Sequence, residues 1–257
     1  MANALSIYFN SILRSTLLSR TMILASLYLG LLYSAIGAYG AKGPLPIWFS
    51  FSYIFFLFAI MGGLSRQVIV SSGAYNYLVR HAGVNPIKLT LALFTTYVIT
   101  SIVFAPLILI LFFFMYYTAG KLILSINVAV LVSAILLSSV FITALGIFLG
   151  LIMIGRAITS KIANFVWGLP LILFFISIFA TPPSASMYNP ITAMELLLAI
   201  SWEKGVTSYS YMVPIPSHIN VVIPVITILV SSAILLLISA LLLKRVREVN
   251  IYDIAQV

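Results

Sequence analysis

The chain has 257 residues, 63% of them hydrophobic and 7% charged, with a mean hydropathy of +1.23 and a formal net charge of +9. A soluble domain of this length carries about a quarter charged residues, so this sequence has too few to cover a water-facing surface, and lipid must be its solvent. The absence of cysteine excludes disulfides, thiolate metal sites and cysteine nucleophiles.

Residues 3–20 come first and are amphipathic at helical period. Leu5, Phe9, Ile12, Leu13, Thr16 and Leu17 share one face, while Asn3, Ser6, Asn10, Ser11, Arg14 and Ser15 share the other. Such a helix lies in the membrane interface rather than crossing it. A cleaved signal peptide fits less well, because the apolar run from Met22 exceeds the roughly 7–15 residues of a signal core.

Long continuous apolar runs follow, unlike the short alternating segments of a barrel. At roughly 20 residues per crossing they read as six spans, at about 22–40, 47–70, 89–117, 122–154, 162–180 and 219–243. The expected fold is all-α and integral to the membrane. It forms one transmembrane domain over 1–257, with no separate soluble part.

Lys and Arg set the orientation. With the N-terminus inside, the inner loops and ends hold Arg14, Arg20, Arg66, Arg80, Lys88, Arg156, Lys161, Lys244, Arg245 and Arg247. The outer loops hold only Lys42, Lys121 and Lys204. Both termini are then cytoplasmic, as an even number of spans requires. In a soluble protein the basic balance would suggest nucleic acid; here it sits at the ends of apolar runs, beside anionic headgroups.

Two interruptions are longer than a hairpin needs. The inner one, 71–88, contains Ala74, Tyr77, Leu78 and His81 at helical spacing. Gly83 is placed to stop that short helix, and Asn85-Pro86 to start the next. A cytoplasmic helix bearing Tyr77, Arg80 and His81 suits docking into a groove of a soluble partner; an interfacial linker anchored by tyrosines is the alternative. The outer one, 181–218, has breaks at Pro182-Pro183 and Asn189-Pro190. Thr192-x-x-Glu195 then reads as a capping box for a short helix over 193–200. That helix is too apolar for water and too short to span, so it is expected to dip into the outer leaflet as a gate or lid.

The chemistry available is sparse. No phosphate-cradling G-x-x-x-x-G-K-[ST] motif occurs, and His81 and His218 fall on opposite sides, which leaves no metal cluster. Glu195 and Glu203 read as solvated loop acids. No Asp, Glu, Lys, Arg or His lies deep within a span, which argues against a proton relay and for an energy source on another chain. Small residues recur every fourth position at Ser26, Gly30 and Ser34, and again at Gly146 and Gly150. The first set is a candidate dimer-packing face.

With those residues in view, the layout resembles the membrane subunits of ATP-binding-cassette exporters of the type-two permease class. Gly73-Ala74-Tyr75-Asn76-Tyr77-Leu78 with Gly83-Val84-Asn85-Pro86 is similar to the family's Gly-Thr-Leu-Glu-x-Leu run and its small-residue-Pro ending, with Asn76 where an acid is usual. Asn189-Pro190-Ile191-Thr192 with Glu195 is similar to the Asn-Pro-Leu-Thr signature after the fifth span. The resemblance implies an interfacial helix, six spans, a coupling helix and short outer re-entrant helices. It implies that Gly73, Tyr75, Tyr77, Leu78, Arg80, His81, Val84, Asn85 and Pro86 meet the ATPase, and that Asn189, Pro190, Thr192 and Glu195 form an outer gate. It further implies a second permease subunit, identical or homologous, and two P-loop ATPase subunits. ATP and Mg would sit on those partners, with no cofactor in this chain, no catalysis by it and no nucleic acid bound. The plasma membrane is the expected location. Aromatic and hydroxyl-bearing spans favour an amphipathic, lipid-like or drug-like cargo. An ATP-independent carrier or channel is the alternative.

Overall fold

A computed structural model describes residues 20–40, 45–120, 126–155, 168–202 and 219–244. The expected interfacial helix over 3–20 lies outside these residues apart from Arg20, as do Lys42, Lys121, Arg156, Lys161, Glu203, Lys204, His218, Arg245 and Arg247. The described residues are helical throughout, save for turns and one isolated bridge pair.

In chain order, α1 is Arg20–Ala35, continued by a π-helical turn over Ile36–Gly40, and α2 is Leu45–Val70. A short α3, Ser72–Arg80, precedes α4, Pro86–Thr118, and α5 is Val128–Gly155. Then come α6, Gly168–Ala180, a 3-10 turn at Pro183–Ala185, α7, Pro190–Ile200, and α8, Val222–Leu243. Four of these, α2, α4, α5 and α8, are long and apolar enough to cross a membrane. The longest, α4 at 33 residues, extends about 50 Å. On α4 and α8 large apolar side chains point outward, among them Ile110, Phe114, Leu229 and Leu237. A contiguous apolar exterior of this kind is the signature of a lipid-facing surface. The chain is thus an all-helical protein of membrane type.

The ends of these helices follow from their polar residues. Asn85 caps α4: its Oδ1 accepts from the Ile87 amide at 2.9 Å, with Pro86 at the first helical position, where the missing N–H is no loss. Asn127 starts α5, accepting from the Val130 amide at 3.2 Å. Among the described residues the fourth apolar run is helical from Val128, because Ile126 and Asn127 pair instead with residues 201–202. Asn220 does the same for α8, accepting from Val222.

The core is built on α2 and α5. They run side by side in the same direction, with Tyr53 beside Ser139, Met61 against Gly146 and Val68 against Gly150. A Cβ on Gly150 would lie 2.8 Å from Val68 Cβ and 2.9 Å from the Ser65 carbonyl, so only glycine admits this approach. The Ser65 hydroxyl donates across the interface to the Gly146 carbonyl at 2.9 Å. Phe174 of α6 wedges among Phe51, Phe55 and Phe58 of α2, with ring centroids 5.3–5.8 Å apart. Of the three residues expected to form a dimer-packing face on α1, the side chain of Ser26 lies outside the described residues, and Gly30 and Ser34 are buried within the chain. Gly30 is buried against Leu111 of α4, and Ser34 is buried with its hydroxyl on the Leu31 carbonyl.

Candidate functional site

The two interruptions form two separate candidate sites. The inner one is α3, joined to α2 through Ser71 and to α4 by the turn 81–85. The Val84 amide reaches back to the Leu78 carbonyl at 2.8 Å, and Gly83, at φ +62°, supplies the left-handed residue that ends the helix. The helix stop at Gly83 and the start at Asn85-Pro86 are as the sequence indicates.

The face that α3 presents differs from the expected stripe. Ala74, Tyr77, Arg80 and His81 are exposed, whereas Tyr75 and Leu78 are buried against the bundle. Tyr77, 62% exposed, stacks on His81 with centroids 5.7 Å apart, and Arg80 stands beside them. Asn85 is exposed, with Gly73, Val84 and Pro86 partly so. The exposed side of α3 is therefore an aromatic and basic ridge, while Tyr75 and Leu78 serve to seat the helix. The reason is geometric: nine residues make two and a half turns, so one side of α3 must pack where Ser72, Tyr75 and Leu78 point.

The outer site is α7. Asn189 is its cap, accepting from the Ile191 amide at 3.0 Å with Pro190 at the first position, so the helix begins three residues before the expected 193. Thr192 closes that first turn by donating to the Ser186 carbonyl at 2.8 Å and to the Asn189 carbonyl at 3.2 Å. The capping box is thus not formed, because Asn189-Pro190 already satisfies the turn and leaves Glu195 no amide to accept from.

The helix α7 packs inside the bundle. It is inserted among α2, α5 and α8, touches α6, and every residue from Ile191 to Ala199 is buried. Both of its ends are fastened at the same end of the bundle. The Asn189 side chain donates to Thr181 Oγ1 at 2.8 Å just past α6. Beyond α7, Trp202 packs on Phe49 near the head of α2 and pairs with Ile126 ahead of α5. The helix enters the bundle and does not cross it.

Glu195 is the feature that the sequence did not reveal. Its carboxyl is 0% exposed, neither oxygen has a hydrogen-bond partner among the described residues, and burial holds it well above the usual carboxylate range. The signal was available in part: Met194-Glu195-Leu196-Leu197-Leu198 sets one acid in an otherwise apolar turn. No group of three or more metal-ligating side chains occurs among the described residues.

Placed together, the inner ridge and the buried outer helix lie on the two connections that depart most from simple hairpins. No family model matches the chain, and comparisons with curated proteins and with solved structures give no match either.

Proposed function

We propose that the chain is the membrane-spanning subunit of an ATP-binding-cassette exporter, working as a permease dimer driven by two separate P-loop ATPase subunits. In this reading α1 with its π turn and the fifth apolar run, which contains α6, join the four long helices to make six spans. The termini are cytoplasmic and the membrane is the plasma membrane. The observation that carries the reading is α3: a two-and-a-half-turn helix between two long apolar ones, seated by Tyr75 and Leu78 and presenting Tyr77, Arg80 and His81. Such a ridge gives a soluble motor something to grip. ATP-driven closure of the ATPases would push on it, and α2 and α4, continuous with its two ends, would carry the displacement across the bilayer.

The cargo of this reading is amphipathic, matching a bundle rich in Phe, Tyr, Leu and Ile. The test is to purify the chain from its native membrane. A stoichiometric P-loop ATPase is expected to accompany it, and ATP is expected to drive transport in liposomes. Transport by the chain alone, without ATP and without a copurifying ATPase, would sink the reading. One observation favours the alternative of an ATP-independent carrier: Glu195 is an enclosed acid of the kind on which ion-coupled carriers depend.

A further inference from the structure

Four charged side chains are exposed among the described residues, and all four are cations. Arg66 lies near the end of α2, Arg80 in the last turn of α3, Lys88 in the first turn of α4 and Lys244 directly after α8. The short helix α3 joins α2 to α4 and also touches α8. No acid answers these cations: the sole acid among the described residues, Glu195, is buried in α7.

The place of Lys88 is informative. It is the third residue of α4, in the turn where the helix dipole favours an anion and disfavours a cation, and no acid stands there to offset it. A cation so placed works against its own helix, so its benefit lies outside α4. The make-up of α3 says where. A helix that lies in lipid needs a broad apolar face for the acyl boundary. Here α3 turns its largest apolar side chains, Tyr75 and Leu78, to the bundle and leaves Ala74, Tyr77, Arg80 and His81 outside. That exposed side is suited to a protein surface rather than to the bilayer.

We propose that α3 and the head of α4 form a cationic docking face, and that the partner groove receiving them is acidic. Carboxylates of the groove pair with Arg80 and Lys88, since opposite charge across an interface speeds encounter and like charge opposes it. Tyr77, stacked on His81 with centroids 5.7 Å apart, supplies the aromatic anchor. The proposal rests on the reading of α3 as the helix gripped by an ATPase, and adds the sign of the charge on the gripping surface.

The experiment uses the full chain, purified from its native membrane with its ATPase and placed in phosphatidylcholine nanodiscs, which carry no net charge. The ATPase retained per chain is measured from low salt to about 0.5 M sodium chloride, for the native chain and for variants. Retention should fall as salt rises. Arg80→Gln combined with Lys88→Gln should weaken association about tenfold at low salt and flatten its salt dependence. Lys88→Glu should weaken association and yet raise the unfolding temperature of the chain by about 1–3 °C, because an acid suits the first turn of α4. A purely structural role for Lys88 would not set binding and stability in opposition. An ATPase that copurifies but is held equally at every salt concentration, or that binds Lys88→Glu more tightly, overturns the acidic groove and leaves the docking reading standing. Copurification of no ATPase overturns both. If the double variant keeps its ATPase but loses a stabilisation that phosphatidylglycerol gives the native chain, the cations serve lipid headgroups and the proposal falls.

Discussion

Neighbouring residues in this chain do opposite jobs, and α3 shows it most clearly. Tyr77 and Leu78 are adjacent in sequence, yet one is 62% exposed and the other 9%. A charge at each position separates docking from folding. Tyr77→Glu is expected to leave insertion and thermal stability unchanged while abolishing association with the ATPase that we propose as its partner. Leu78→Glu buries a carboxylate against the bundle and is expected to destabilise the protein by about 3 kcal/mol or more, read as loss of folded protein in detergent. If Tyr77→Glu leaves association intact, the ridge is not the docking surface. Sequence periodicity grouped these two residues, because a stripe at i, i+3, i+4 and i+7 is wider than the seam that α3 has available. Glu195 was misread for a related reason. Thr192-x-x-Glu195 has the spacing of a capping box, and spacing alone cannot reveal that Asn189-Pro190 begins the same helix one turn earlier.

At the level of elements, the strongest sequence signals were the ones written in backbone chemistry. Asn85-Pro86 and Asn189-Pro190 both fold as an asparagine cap followed by a proline whose fixed φ suits the first helical turn. Asn85→Ala should cost about 1 kcal/mol and loosen the joint between α3 and α4, read as faster amide exchange at Ile87. The glycines divide in the same spirit. Gly150→Ala drives a methyl into Val68 and the Ser65 carbonyl and should cost roughly 1–3 kcal/mol. Gly73→Ala meets nothing within 4 Å and should stabilise α3 by about 0.5–1 kcal/mol. Thermal unfolding of the two variants checks the contrast, and equal effects would contradict the packing described. Both glycines of the Gly146/Gly150 pair sit where small residues bring helices together, as their spacing indicates. Gly30 and Ser34 carry the same spacing and also pack, but within the subunit: the pattern says that a helix approaches and is silent on whose helix it is.

For the molecule as a whole, composition alone established the solvent, because a chain with 7% charged residues has nothing with which to face water. Long apolar helices followed from continuous runs and were placed within a few residues. What composition could not reveal was that an eleven-residue segment of the connection after α6 would become part of the core, since α7 is about as apolar as α2 beside it. Orientation is testable with unusual directness, because the native chain has no cysteine. Lys88→Cys and Gly120→Cys stand at opposite ends of α4. In intact cells a membrane-impermeant thiol reagent is expected to label the second and not the first; the reverse pattern would invert the topology.

The backbone pairing of Ile126 with Trp202 has a mechanical meaning. It is reinforced by the Asn127 amide on the Ser201 carbonyl at 2.7 Å, and it acts as a rivet between the outgoing end of α7 and the head of α5. A displacement that reaches α5 from the opposite end of the bundle must either carry α7 along or shear that joint. The buried helix and its single acid are therefore yoked to one of the two core helices, and any stroke that moves α5 also moves the surroundings of Glu195.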